Sequence, residues 1–148
     1  MNPDQTSRRI LLVAAIAGAL GVIIGAFGAH GLEDTIRRVG FYDNDALTAE
    51  LIEKRLDQFD VAARYHLAHA VALLALAGVS IGKPQRRILA MWLFTAGIAL
   101  FSGSLYLLVL TNTPWLGAIT PLGGLAWIAA WLSLLSVSVG NGGNDPET

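Results

Sequence analysis

The feature that most constrains this chain is residues 10–29, twenty consecutive positions without one charged side chain. At a helical rise of about 1.5 Å per residue, such a run crosses a hydrocarbon layer of roughly 30 Å. Comparable apolar segments recur, and spans are predicted at about 10–30, 62–82, 88–110 and 120–139. The start of the fourth rests on Thr120-Pro121, which reads as an N-cap followed by proline at the first helical position, where its missing N–H costs nothing. Gly140-Asn141-Gly142-Gly143 then reads as its stop. An apolar segment in lipid must satisfy its own backbone hydrogen bonds, and nothing here alternates with the period of a barrel strand. The expected fold class is therefore all-α, a single membrane domain built as an integral bundle of four transmembrane helices.

Charge supports this reading. Only 14% of residues are charged against about 25% in soluble domains, and they cluster at the connections and the ends. A net charge of -1 with no basic patch excludes a nucleic-acid partner. The absence of cysteine excludes disulfides, thiolate metal sites and thiol catalysis. The expected partner is the lipid bilayer, with a homo-oligomer or a membrane-protein partner left open. Ser7-Arg8-Arg9 followed by an apolar run has the outline of an export leader, but twenty apolar residues exceed the usual ~7 to 15. Arg8, Arg9, Lys83, Arg86 and Arg87 fall on one side of the membrane if all four spans cross. Arg37, Arg38, Lys54 and Arg55 fall on the other, with Arg64 at its boundary. The tighter cluster favours a multi-pass plasma membrane protein, in the inner membrane if bacterial, with both termini cytoplasmic.

Within the long first connection, residues 46–60 form an amphipathic helix by their spacing. Leu47, Leu51, Ile52, Leu56 and Phe59 share one face; Glu50, Glu53, Lys54, Asp57 and Asp60 share the other. Asn44 or Asp45 would cap it. The helix either lies in the interface or continues into the second span.

In the first span Ala14, Gly18, Gly21, Gly25 and Gly28 recur at steps of four and three, so a second helix can approach closely, within the bundle or in a homo-oligomer. In the third, Thr95, Ala99, Ser102 and Tyr106 form a stripe expected to face the interior, while Ser104 bonds back to a carbonyl one turn earlier. His30 ends the first span, and His66 and His69 lie in the first two turns of the second. Alternating crossings bring all three to one depth, with Ser102, Tyr106 and Thr120, in a polar layer near the face opposite the termini. Three readings of that layer stand side by side: neutral histidines that tie the bundle together, a histidine-ligated haem or metal site, and a proton or solute relay. No carboxylate accompanies the histidines inside a span, Ser102-Gly103-Ser104 lacks the frame of a nucleophile elbow, and no phosphate loop occurs. The expectation is a non-enzymatic structural or accessory membrane protein with no assigned cofactor and no identified metal.

Gly25-Ala26-Phe27-Gly28-Ala29-His30-Gly31-Leu32, Arg64-Tyr65-His66-x-x-His69-Ala70, Phe101-Ser102-Gly103-Ser104-Leu105-Tyr106 and Thr120-Pro121-Leu122-Gly123-Gly124, in that order, resemble a small membrane-protein family of unknown function. It includes bacterial YgdD-like and animal transmembrane protein 256-like members. The resemblance implies four transmembrane helices without signal cleavage, and carries no reaction, substrate or cofactor. His66 stands where members of the family often have Gln, whereas His69 matches the motif. The acidic loop 42–60 is longer than in compact relatives.

Overall fold

The computed structural model describes residues 2–38 and 49–138, and in it the first helix begins well before the uncharged run. Helix α1 spans Pro3–His30, with Asn2 accepting from the Asp4 amide and Pro3 opening the first turn. Thr6 and Ile10, both fully buried, show why these early turns form: they pack into the bundle. A short helix α2 (Leu32–Arg38) follows, holding Leu32 and Ile36 inward and closed by an exposed Arg37–Glu33 ion pair of 2.8 Å.

Helix α3 (Ala49–Gly78) joins the amphipathic segment to the second span without a break. Its apolar face enters the core through Ile52 and Phe59, while Glu50, Glu53, Lys54, Asp57 and Asp60 are exposed. Leu47 and the expected caps Asn44 and Asp45 lie outside the described residues. The helix stops at Gly78, short of the expected 82, where a tight turn begins. There Gly82 adopts φ +80°, and a Cβ would lie 2.6 Å from the Val137 carbonyl oxygen, so both conformation and space demand glycine.

The third span is interrupted. Helix α4 (Pro84–Gly97) passes through a π-helical segment (Ile98–Gly103) into α5 (Ser104–Thr111), which ends at Asn112 in the left-handed conformation, φ 46°. A 3-10 segment (Pro114–Ala118) leads into α6 (Thr120–Ser138). The expected stop at Gly140-Asn141-Gly142-Gly143 lies outside the described residues.

All four long helical segments are long and apolar enough to cross a membrane. The most apolar windows of the second and third are 39% and 44% buried, against 17% for the first and fourth, so α3 and the α4–α5 rod form the centre and α1 and α6 flank it. Helix α1 packs mainly on α3, α4 on α6, and the π segment and α5 bridge to α3. Leu12, Ile23, Leu125 and Leu132 stand outward, as a lipid-solvated surface requires. Trp92 and Trp115 are likewise exposed, as side chains of an aromatic belt would be.

The direction of the four crossings is visible in two basic side chains. Arg87 of α4 is 1% exposed and donates from one terminal nitrogen to Ser7 of α1 at 2.8 Å and to the Leu76 and Ala77 carbonyls at 3.3 and 3.4 Å. It thereby caps the C-terminus of α3, where a cation meets the last-turn carbonyls and the negative end of the helix dipole. Arg86 donates to the Ser136 carbonyl in the last turn of α6. The start of α1, the end of α3, the start of α4 and the end of α6 therefore share one end of the bundle.

Candidate functional site

The polar side chains expected to form one layer separate into distinct local arrangements. At the centre, His66 and Tyr106 are 4% and 9% exposed, with His66 Nδ1 and the Tyr106 hydroxyl 3.3 Å apart in a hydrogen bond. The ring's other nitrogen, Nε2, is buried and has no hydrogen-bond partner among the described residues. Gly21 packs beside this ring, and a Cβ there would stand in ordinary contact with His66 Cδ2 at 3.5 Å. Ser102 is fully buried one turn away, its hydroxyl donating to the Ala62 carbonyl of α3 at 2.8 Å.

That Ser102 points at α3 follows from the π segment around it. A π turn carries one residue more than an α turn and rotates everything beyond it. The stripe Thr95, Ala99, Ser102 and Tyr106 consequently does not form one interior face: Ser102 and Tyr106 are buried, Thr95 is half-buried and Ala99 is exposed. Thr95 bonds back to the Met91 carbonyl at 2.8 Å. Ser104 bonds back to Leu100 at 2.6 Å and contacts the Thr120 hydroxyl at 3.2 Å. Thr120 thus meets α5 through Ser104, apart from the histidines.

His69 has different company. Its Nδ1–H donates to the Tyr65 carbonyl at 2.8 Å, which leaves Nε2 as the acceptor nitrogen of the neutral ring. The ring lies flat against Trp127 of α6, centroids 3.8 Å apart at 1°. Trp127 in turn donates its indole N–H to the Phe94 carbonyl at 3.2 Å. This aromatic wall has no counterpart in the sequence reading, which passed over Trp127. The signal available was its spacing from Gly123 and Ala130, one helical turn on each side.

His30 is the clearest departure. It is exposed at the end of α1 and forms no part of the interior; it lines an open cleft of about 600 Å³ between α1 and α3. The three histidines therefore do not converge. Among the described residues, no three His, Asp or Glu side chains are grouped at metal-binding spacing. His66 and His69 face separate partners from one helix, so the pair offers no facing axial ligands for a haem.

The expected glycine face also divides. A Cβ at Gly21 would meet Leu67 at 2.7 Å and one at Gly28 would meet Phe59 at 2.7 Å, whereas Gly18 and Gly25 open onto empty space. A seven-residue period, not the alternating four and three, marks the contact with α3. Closer helix approaches occur where the sequence reading did not place them: a Cβ at Gly123 of α6 would strike the Phe101 backbone, and one at Gly97 of α4 would strike the Trp127 ring.

A second buried arginine holds the far end of the bundle. Arg55 of α3 is 6% exposed and donates to Gln58 and to the Asn112 side chain, both at 2.9 Å. It reaches the C-terminus of α5, as Arg87 reaches that of α3. By charge alone neither could be told from the solvated Lys and Arg beside it.

Comparison with known proteins assigns this arrangement to a family. Residues 24–124 match the model of a protein of unknown function, DUF423. The chain is 39% identical to the UPF0382 membrane protein YwdK of Bacillus subtilis, covering 87% of this chain and 94% of that protein. It is 37% identical to a UPF0382 membrane protein of Staphylococcus haemolyticus, covering 84% and 90%. Identity to the UPF0382 inner membrane protein YgdD of Escherichia coli is 34%, covering 88% and 89%. No solved structure matches. With a four-helix architecture and these relatives, the chain belongs to the DUF423 (UPF0382) family of multi-pass membrane proteins of unknown function.

Proposed function

We propose that this protein is a non-catalytic structural or accessory component of the cytoplasmic membrane. The observation that carries the proposal is how its interior polar groups are used. Ser102 and Trp127 donate to backbone carbonyls of neighbouring helices, His69 to a carbonyl of its own helix, and His66 to or from Tyr106. Each interhelical bond of this kind contributes about 0.6 kcal/mol in a membrane bundle and fixes one register. A catalytic centre would instead aim several such groups at a shared space.

The test is a substitution series in mild detergent, with absorption spectroscopy and metal analysis on the same samples. On this reading His66→Ala and Ser102→Ala lower thermal stability, and the purified protein shows neither a Soret band nor stoichiometric metal. Stoichiometric haem or metal lost on His69→Ala would overturn it. Orientation with both termini cytoplasmic is supported by Arg8, Arg9, Lys83, Arg86 and Arg87 at one end of the bundle. Thiol labelling of Asn141→Cys and Asn44→Cys in this cysteine-free chain checks it: only the latter should react from the outer side.

A further inference from the structure

The cleft at the fork of α1 and α3 has two unlike parts. Its inner wall is apolar and floored by glycine: Gly25, Phe59, Ala63 and Leu67 line it, and Gly25 has nothing within 4 Å of a built Cβ. Its rim is charged, formed by Glu33, Asp34, Asp57, Asp60, Arg64 and His30. This rim lies where the uncharged run of α1 ends and the acidic face of α3 begins, which is headgroup depth in a bilayer.

The charges on that rim are unequal. Arg37 pairs with Glu33, and Arg64 pairs with Asp60 at 2.6 Å. Asp34 and Asp57 have no ion pair or hydrogen bond among the described residues. The complementary occupant has a hydrogen-bonding cation for the unpaired carboxylates, an anion for the remaining guanidinium N–H groups of Arg64, and an apolar body for the wall. A volume of about 600 Å³ accommodates a headgroup with its first methylenes. We infer that this cleft binds a phospholipid with a phosphoethanolamine headgroup, its ammonium between Asp34 and Asp57, its phosphate at Arg64, and an acyl chain along Gly25, Phe59 and Leu67. The inference does not depend on whether the chain is catalytic.

A quaternary headgroup has the same charge but no N–H to donate, and a glycerol headgroup has no cation. The test is native mass spectrometry of the whole chain released from micelles containing palmitoyl-oleoyl phosphatidylethanolamine, phosphatidylcholine or phosphatidylglycerol. One phosphatidylethanolamine should be retained with roughly tenfold preference over either competitor, the equivalent of one charge-assisted hydrogen bond. The double variant Asp34→Asn, Asp57→Asn, at exposed positions that leave the core intact, should erase that preference. Gly25→Leu fills the floor and should abolish retention of the lipid with the unfolding midpoint preserved. Equal retention of all three lipids, or undiminished phosphatidylethanolamine binding in either variant, would overturn the proposal.

Discussion

The α1–α3 pair and the α4–α6 pair both use glycine for close approach, but what the glycines face differs. On α1, Gly21 faces the end of the half-buried Leu67, a flexible aliphatic side chain, and Gly28 faces the edge of the buried Phe59 ring. In the other pair, Gly123 faces the Phe101 main chain, and Gly97 faces an indole held by the His69 stack and by its bond to Phe94. Glycine spacing reports that two helices can approach; the neighbour's freedom to yield decides how strictly glycine is required. The pair without a regular glycine repeat is the one with less tolerance.

The sharpest way to break this contrast is Gly123→Val. Its side chain meets main chain that no rotamer change can move, so the expected loss is about 3 kcal/mol or more, read from unfolding in mixed detergent and SDS micelles. A loss below that of Gly21→Val would reverse the ranking. Next in size is Arg87→Gln, which removes the charged donor to Ser7, Leu76 and Ala77 and so loosens α4 from the α1–α3 pair. About 2 kcal/mol is expected, since bonds from a charged donor contribute about 1.5 to 3. Within α1, Gly21→Ala should cost about 1 kcal/mol, while Gly18→Ala, open to lipid, should stabilise by roughly 0.5 to 1 through helix propensity. Equal effects at the two positions would restore the continuous glycine face. The smallest change is expected for Tyr106→Phe, about 0.6 kcal/mol, because only the bond to His66 is lost.

The membrane spans were legible because charge exclusion over some twenty residues has few other physical causes. The arrangement of the polar residues was not, for two identifiable reasons. One is the π segment at Ile98–Gly103: a single added residue rotates the rest of the span, so a stripe drawn at regular steps from Thr95 fails at Ala99. The other is that placing two groups at one depth does not place them on facing surfaces. His30 lies at the expected end of α1 and yet stays exposed, while Gly28 is the residue whose Cβ would meet Phe59 on α3. Arg87 shows a further limit: its charge places it with the basic residues at one membrane face, but only its position at the end of α3 explains why it is buried.

Helix α3 runs unbroken for 30 residues, about 45 Å, and a bilayer core is roughly 30 Å thick. About a third of its length therefore stands outside the hydrocarbon as one stiff body with the part inside. The rod is clamped near both ends, by Arg55 to Asn112 and by Arg87 to Leu76. A push on its outer end is accordingly delivered as rotation or axial displacement at His66 and His69, or else it must first break the Arg55 clamp. One stiff helix thus joins the charged segment around Arg55 to the buried His66 and His69, with a guanidinium holding it near each end.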